Sequence, residues 1–326
     1  MFRRLLVCAV ASAGLLTGAV AHAKNFTILS SWDSSYNAVP VFVDTFIANL
    51  KEKSNGKLTA EMRGPETVPP FEQLQPVSSG LFDFLFTHGA YHLGETGMGF
   101  ALDAMKDDPV ARRQSGVYEL IDQHYNSRGL KLIGVYSSAS GYHFLLREPI
   151  AADGALKGRK IRASATYHDM VEQLQGAVVS LPASEIYSAL ERRVVDGAAW
   201  PVFGAMEARW YEVSEYMTRP TFGVTNQILF MNQDAWEALS EDEQNIIMEV
   251  AQELEVSGRK VFEDLWAQED AAMQKAGLKI TEFGPEVAPN VDAMFAAGVW
   301  KQVKARSGPD GEALHKLAVE KGLTSQ

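Results

Sequence analysis

The sequence predicts an α/β protein with two domains. Short β-like apolar runs alternate with helical segments, as where residues 25–29 precede a segment in which Val43, Phe46 and Leu50 recur at helical spacing. This alternation is typical of parallel sheets with crossover helices. The chain has 326 residues, 46% of them hydrophobic, which is enough for two cores. No linker-like stretch divides it, so we expect the chain to cross between the domains more than once.

The predicted elements run from a first strand to helices near the C-terminus. Strands are predicted at residues 25–29, 58–62, 82–86, 132–136, 142–146, 160–163, 227–231 and 278–281. Helices are predicted at residues 39–53, 71–79, 183–192 and 203–216, and from residue 237 to 258 or beyond. Near the start of the helix predicted from residue 237, Ser240-Glu-Asp-Glu243 fits a capping box, in which the Ser240 and Glu243 side chains satisfy two free backbone amides.

The first 23 residues predict a signal peptide and export to the periplasm. Arg3 and Arg4 precede an apolar run over residues 5–20, and small residues stand at the two positions that a signal peptidase inspects, up to Ala23. Cys8 is the only cysteine, so cleavage after about Ala23 would leave a chain without thiols or disulfides. Val7 is a poor residue before a lipidation cysteine, which disfavours a lipoprotein.

The charge of the chain disfavours nucleic acid as a partner. The formal net charge is −11, and it becomes −13 when Arg3 and Arg4 are removed with the signal peptide. A cysteine-free, acidic, exported protein of two domains is typical of periplasmic binding proteins.

Residues 156–201 predict a receptor for a carboxylate. A strand ends in Arg162, a helix follows at 183–192, and a turn at Gly197 precedes the aromatic residues Trp200 and Phe203. One guanidinium and an apolar wall would therefore face the same space, and a guanidinium suits bidentate pairing with a carboxylate.

Five loops are candidates for the binding site, because ligands of open α/β sheets bind beyond the carboxyl ends of the strands. These loops are residues 30–36, 87–92, 137–143, 162–167 and 196–203. Their candidate side chains are Trp32, Tyr36, His88, Tyr91, His143, Arg162, Tyr167, Trp200 and Phe203.

Several motifs, taken together and in this order, resemble the extracytoplasmic substrate-binding proteins of tripartite ATP-independent periplasmic (TRAP) transporters, the DctP-like group. They are Lys51-Glu-Lys-Ser-Asn-Gly-Lys57, Gly80-Leu-Phe-Asp83, Leu156-Lys-Gly-Arg-Lys-Ile-Arg162, Ala183-Ser-Glu-Ile-Tyr-Ser-Ala-Leu190, Val195-Asp-Gly197, and Met231-Asn232 with Trp236 and Leu239-Ser240. The resemblance covers nearly the whole chain after the signal peptide.

The resemblance implies a periplasmic binding protein fold with crossing interdomain strands and a long helix that spans both domains. Domain I would comprise residues 24–145 plus about 232–270, and domain II residues 146–231 plus about 271–326. It further implies closure around an organic acid whose carboxylate pairs with Arg162, and delivery to the small and large membrane subunits of a TRAP permease. No cofactor or metal is implied, and we expect a monomer.

Two departures from the family pattern bear on the ligand. This chain has Gly141-Tyr142-His143 where many members have a second arginine, so that His143 is a candidate replacement. It has Trp200 where members that bind sialic acid have an asparagine. Together with Tyr91, His88 and Trp32 as neighbours, Trp200 favours an apolar or aromatic monocarboxylate, including 2-oxo and 2-hydroxy acids.

Each candidate also has a purely structural interpretation. Arg162 is compatible with an interdomain salt bridge, Trp200 and Phe203 with core packing, and His88 and His143 with satisfied structural histidines. The spacing of His88 and His92 suits a metal pair on a helix, but the glycines around it favour a loop.

Three other functions stay open on the sequence alone: a receptor for an ATP-driven transporter, a sensory receptor for a histidine kinase, and a periplasmic enzyme. The last is disfavoured because the sequence contains no nucleophile elbow, phosphate-binding loop or zinc-protease helix motif.

Overall fold

The computed structural model describes residues 23–181 and 183–324. The predicted signal peptide lies outside these residues up to position 22, and so does Cys8. Cleavage after Ala23 therefore stays a prediction.

The described residues form eleven strands in two sheets. In chain order the strands are β1 (Lys24–Ser30), β2 (Leu58–Arg63), β3 (Phe84–Thr87), β4 (Leu130–Ser137), β5 (Tyr142–Leu146), β6 (Lys160–Arg162), β7 (Ala177–Val179), β8 (Gly197–Pro201), β9 (Tyr216–Arg219), β10 (Asn226–Asn232) and β11 (Lys279–Glu282). The first sheet has the order β2-β1-β3-β10-β4, and the second β11-β9-β5-β8-β6-β7.

The helices of the described residues are, in chain order, α1 (Thr45–Lys53), α2 (Leu74–Ser78), α3 (Pro109–Gln114), α4 (Val117–Asn126), α5 (His168–Gln173), α6 (Ile186–Glu191), α7 (Gln233–Glu237), α8 (Glu241–Lys275) and α9 (Val291–Glu320). A π-helical segment, Val39–Asp44, leads into α1. Helix α9 is kinked at Gly308, which has φ 52° and ψ −129°. Among these helices none is both long and apolar enough to span a bilayer.

Both sheets are mixed, so the expectation of parallel sheets is only partly correct. Strands β1, β2 and β3 pair in parallel, as do β6, β7 and β8. Strand β10 is antiparallel to β3 and β4, and β5 is antiparallel to β8 and β9. The reason is the route of the chain: β5 and β10 are reached directly from the other domain, without a crossover helix, so they run against their neighbours.

Two chain segments cross between the domains side by side. The amide of Ser138 donates to the carbonyl of Thr225 at 3.0 Å, and the amide of Thr225 donates to Ser140 at 2.9 Å. Tyr142 and Phe222 exchange two backbone hydrogen bonds at 2.8 and 3.0 Å. The chain therefore changes domain at residues 138–141 and 220–225.

These crossings correct the predicted domain division. The predicted boundaries left most of β5 in domain I and nearly all of β10 in domain II, whereas β5 lies in the second sheet and β10 in the first. Both strands are buried along their whole length, so the apolar pattern alone does not reveal which sheet each one joins.

Helix α8 connects the two domains. Its start carries the predicted capping box, in which the Ser240 amide donates to the Glu243 carboxylate at 2.8 Å and the Glu243 amide donates to the Ser240 hydroxyl at 3.3 Å. Val250 and Leu254 pack into the core under the first sheet, whereas Met273 belongs to the core of the second. The helix begins later than predicted, at Glu241, and extends to Lys275.

The helix predicted at residues 203–216 is absent. In its place are a loop, a 3-10 turn at Trp210–Glu212 and the beginning of β9. The carboxylate of Glu269 on α8 accepts hydrogen bonds from the amides of Gly204, at 3.2 Å, and Met206, at 3.1 Å. These contacts hold the loop against α8. They also satisfy backbone amides that have no partner within a helix when they lie in its first turn.

Stability should depend on the buried ion pair between Arg113 and Glu255. Glu255 lies on α8 and accepts from Nε and Nη2 of Arg113 at 2.7 and 2.8 Å, and from the Val135 amide at 2.8 Å. Glu255→Ala leaves the guanidinium without its partner, so we expect the free energy of unfolding to fall by about 3–5 kcal/mol in urea titrations.

The matched control is Glu249→Ala, which removes an exposed partner of Lys53 and should leave the free energy of unfolding nearly unchanged. Equal losses for the two variants would contradict the role of the buried pair.

Candidate functional site

The predicted site residues Arg162, Trp200 and His143 lie on one face of the second sheet, at the edge where β6 and β8 end. Arg162 ends β6 and lies opposite Ala198 of β8, two residues before Trp200. His143 of β5 lies opposite Trp200. Because opposite residues, and residues two apart, share a face, the three side chains belong to the same surface.

Arg162 is a buried cation that no carboxylate neutralises in the described part of the chain. It is only 5% exposed. Its Nε–H donates to the Leu181 carbonyl at 3.0 Å and Nη1 donates to the Ala199 carbonyl at 3.4 Å. Burial lowers the pKa of its guanidinium below the usual value, and the hydroxyls of Tyr167 and Tyr91 act in the opposite direction. A guanidinium keeps its proton in proteins, so the site holds a positive charge.

The ring of Trp200 stabilises this cation through a cation–π contact. The guanidinium carbon of Arg162 lies 5.3 Å from the centroid of the Trp200 ring, within cation–π range. The indole N–H donates to the Phe203 carbonyl at 2.7 Å, and the Trp210 ring packs edge-on at 4.9 Å. The orientation of the Trp200 ring is therefore fixed.

The structure corrects the predicted pocket-lining role of Phe203. Its ring is 2% exposed and packs against Phe262 of α8 with the centroids 5.0 Å apart. Phe203 contributes only its backbone carbonyl to the site, because its side chain fills the core between the loop after β8 and the long helix.

The first domain supplies an aromatic wall formed by Trp32, Tyr36 and Tyr91. The Trp32 ring stacks on Tyr36 at 5.0 Å and contacts Tyr91 at 5.6 Å. Burial raises the pKa of Tyr91, while a hydrogen bond with Trp32 and the positive charge of Arg162 lower it. Because the charge of Arg162 lowers the pKa of Tyr91, the two side chains lie in the same region although they belong to different domains.

His88 is held in place by hydrogen bonds at both ring nitrogens, and its ligand role stays a prediction. Its Nδ1 accepts from the Ala90 amide at 3.2 Å, so Nε2 carries the proton, which it donates to the Asp103 carboxylate at 2.9 Å. The Tyr142 hydroxyl donates to the same carboxylate oxygen at 2.6 Å. Both ring nitrogens are thus engaged, and the imidazole packs 5.6 Å from the Tyr91 ring.

His143 is almost fully buried, with 1% exposure. Its Nδ1 accepts from Nη1 of Arg219 at 3.2 Å, and Nε2 has no hydrogen-bond partner among the described residues. Burial and the charge of Arg219 lower the pKa of His143 to about 3, so the imidazole is neutral near pH 7.

Tyr167 and Tyr36, both named among the candidate side chains in the sequence analysis, lie close to these residues. Tyr167 is 4% exposed, and its ring meets Tyr142 edge-on at 5.0 Å. Burial raises its pKa well above the usual value, and the charge of Arg162 opposes this. The Tyr36 hydroxyl accepts from the Gln227 amide at 3.4 Å. Their loop positions were the only available signal.

Metal ligation has no support in the described residues, where no group of three His, Cys, Asp or Glu side chains could hold an ion. His92, considered with His88 as a metal pair, contacts the Thr87 hydroxyl through Nε2 at 2.8 Å. The arrangement is instead suited to binding an anion with a flat body: one buried guanidinium, a fixed indole and an opposing aromatic wall.

Comparison with known proteins identifies the family. The sequence profile of the bacterial extracellular solute-binding protein family 7, DctP, matches residues 29–305. The 2,3-diketo-L-gulonate-binding periplasmic protein of Escherichia coli is 23% identical over 303 residues, with 89% of each chain covered.

Solved structures share the fold. A TRAP periplasmic solute-binding protein from Desulfovibrio salexigens with bound orotic acid has a TM-score of 0.80 and 20% identity, with 91% of this chain and 98% of that chain covered. A Bordetella pertussis extracytoplasmic solute receptor binding pyroglutamic acid has a TM-score of 0.78 and 15% identity, with 91% and 100% covered. The predicted two-sheet α/β fold with a long helix and the predicted resemblance are thereby confirmed, and the chain belongs to the DctP family of extracytoplasmic solute-binding proteins of TRAP transporters.

Proposed function

We propose that this protein captures an organic acid between its two domains and delivers it to the small and large membrane subunits of a TRAP permease. The observation that carries the proposal is Arg162, a buried guanidinium that lies over the Trp200 ring and has no carboxylate partner in the described chain. The protein acts in the periplasm after its signal peptide is removed, and it releases the acid chemically unchanged.

The energetics of Arg162 support an anionic ligand. A buried charge without a counter-charge is costly, and its two carbonyl acceptors, on Leu181 and Ala199, offset only part of this cost. A carboxylate that pairs with the remaining N–H groups would supply the counter-charge and fix the ligand orientation. Since Tyr91 of the first domain lies near Arg162 of the second, the ligand contacts both domains only in the closed state.

The neighbours of Arg162 favour a monocarboxylate with an apolar or aromatic body. The Trp200 ring has no acceptor to offer, so sugar hydroxyls that face it would lose hydrogen bonds to water without replacement. The relatives include both chemistries: orotic and pyroglutamic acids are cyclic monocarboxylates, whereas diketogulonate carries several hydroxyls. In this chain Trp200 favours the first group, including 2-oxo and 2-hydroxy acids.

Arg162→Ala should abolish tight binding without unfolding the protein. A thermal-shift screen of organic acids first finds ligands, since a ligand at 100 times its Kd adds about 2.7 kcal/mol to stability. Calorimetry with the best acid should then show a loss of about 2–5 kcal/mol for Arg162→Ala, and incomplete rescue by Arg162→Lys, because an ammonium lacks the fork geometry.

Arg159→Ala is the matched control, because Arg159 bonds only the carbonyls of Glu148 and Pro149 at the start of the same segment. It should bind like the wild type. Near-native affinity in a folded Arg162→Ala protein would overturn the assignment of the cation.

Ligand binding should draw the domains together about the crossing segments. Small-angle scattering of the protein without its signal peptide should show a smaller radius of gyration when the best acid is added, because only the closed state contacts the ligand from both sides. Arg162→Ala at the same acid concentration should keep the larger radius. Mass spectrometry should recover the acid unchanged; an altered product, or an unchanged scattering curve at saturation, would contradict the receptor mechanism.

Trp200→Asn should narrow the preference for apolar acids. In the wild type we expect aromatic monocarboxylates to bind more tightly than sialic or uronic acids, because stacking on an aromatic ring adds about 0.5–1.5 kcal/mol beyond area burial. Competition calorimetry measures the ratio of the Kd values of the two acid classes. Trp236→Asn, which changes a tryptophan beside Lys131 outside the cleft, should leave the ratio unchanged. Tighter wild-type binding of a sugar acid than of any apolar acid would refute this interpretation of Trp200.

A further inference from the structure

Three side chains form a row across neighbouring strands of the second sheet: Arg219 of β9, His143 of β5 and Trp200 of β8. Trp200 lies opposite His143. The pairing of Leu145 with Met217 brings Arg219 beside His143, where the hydrogen bond between Nη1 and Nδ1 is 3.2 Å long. The row ends beside Arg162, whose guanidinium lies over the Trp200 ring. His143 therefore belongs to the same edge and face of the sheet as the carboxylate site.

The contact with Arg219 sets the tautomer of His143. A guanidinium has donors and no acceptor, so Nδ1 of His143 must accept, and the ring proton resides on Nε2. This Nε2–H is buried and has no acceptor within the described chain. A buried donor without an acceptor is unfavourable, and a ligand oxygen at the edge of the sheet would satisfy it.

Asp270 of α8 holds Arg219 in place and neutralises its charge. Nη2 of Arg219 pairs with the Asp270 carboxylate, and Nη1 also donates to the Thr218 carbonyl at 2.8 Å. The two arginines thus differ: Arg219 has a carboxylate partner, whereas none faces Arg162 among the described residues. The site combines one uncompensated positive charge with one neutral N–H donor.

We propose that Arg219 and Asp270 are positioning residues that hold His143 with its Nε2–H directed to a neutral oxygen of the ligand, so that the receptor selects monocarboxylates with a carbonyl or hydroxyl oxygen. The inference rests on the proposed function of Arg162. A neutral donor binds a ketone, amide or hydroxyl oxygen without requiring a second charge, whereas a second carboxylate would be buried beside a compensated arginine.

Matched acids test this selection in the wild type. Phenylpyruvate is compared with 3-phenylpropionate, and pyroglutamate with cyclopentanecarboxylate; each pair differs by an oxygen acceptor, and in the second pair also by the ring nitrogen. We expect calorimetry to show about tenfold tighter binding of the oxygen-bearing member of at least one pair, the size expected for one hydrogen bond. Phenylsuccinate, a dicarboxylate of similar shape, should bind less tightly than phenylpyruvate.

Two substitutions of His143 separate its donor from its bulk. The amide nitrogen of glutamine takes a position near Nε2, so His143→Gln should keep part of the preference for phenylpyruvate. Asparagine places its amide near Nδ1. His143→Asn should therefore reduce the ratio of the affinities for phenylpyruvate and 3-phenylpropionate to about one. Retention of the full preference by His143→Asn would overturn the proposal.

The positioning role has its own spectroscopic signature. Long-range proton–nitrogen correlation spectra of the ligand-free wild type should show His143 protonated at Nε2 only, and Asp270→Asn should admit the other tautomer and weaken the preference for phenylpyruvate. The matched control is Glu263→Gln, which removes a carboxylate partner of an arginine elsewhere on α8. It should change neither the tautomer nor the preference. An Nδ1–H tautomer in the wild type would contradict the proposal even if no variant folds.

The outcomes distinguish this inference from the proposed function. Wild-type protein that binds no organic acid contradicts the receptor function itself. Binding that depends on Arg162 but treats the members of both acid pairs alike, or that favours phenylsuccinate, leaves the receptor function intact and overturns the role of His143, Arg219 and Asp270.

Discussion

The buried guanidinium of Arg162 is the constraint on which the site depends. It is 5% exposed, its protein partners are two backbone carbonyls, and no carboxylate of the described chain offsets its charge. Such an arrangement is costly in a protein that stays closed without a ligand. The buried charge of Arg162 becomes favourable when an anion binds beside it, because two opposite charges attract each other strongly at the low dielectric constant of a buried site. Under the proposed function the same side chain would supply affinity for an acid and couple acid binding to closure, since Tyr91, whose pKa its charge lowers, belongs to the other domain.

The domains are joined by the two crossing segments and by one buried carboxylate. The two crossing segments are hydrogen-bonded to each other, and the carboxylate of Asp103 joins them to the first domain by accepting from the Tyr142 hydroxyl and the Asn226 amide. His88 binds the same carboxylate and packs against Tyr91. The aromatic wall is therefore attached to the crossing segments through one buried network that includes His88 and Asp103.

Local patterns predicted the elements that local interactions determine. The capping box of α8, most strand positions and the placement of Arg162 beside Trp200 follow from short stretches of sequence. The errors arose where distant residues decide the structure. Glu269 holds residues 204–206 in a loop where the apolar spacing favoured a helix, and Phe262 draws the Phe203 ring into the core. Similarly, the direction of β5 and β10 depends on the route between the domains, which strand composition does not encode.

The same distinction applies to ligand specificity. Family membership and the strand ending in Arg162 are the basis of the proposed carboxylate site, whereas the proposed choice of acid depends on the neighbouring groups. His143 stands where the sequence departs from the family pattern, and its tautomer and neutrality depend on Arg219, from another strand, which in turn pairs with Asp270, more than a hundred residues away on α8. An imidazole held this way offers one donor and no charge, whereas an arginine at this position would add a second positive charge. Because α8 packs into the cores of both domains, the two proposals make selectivity and closure depend on the same helix.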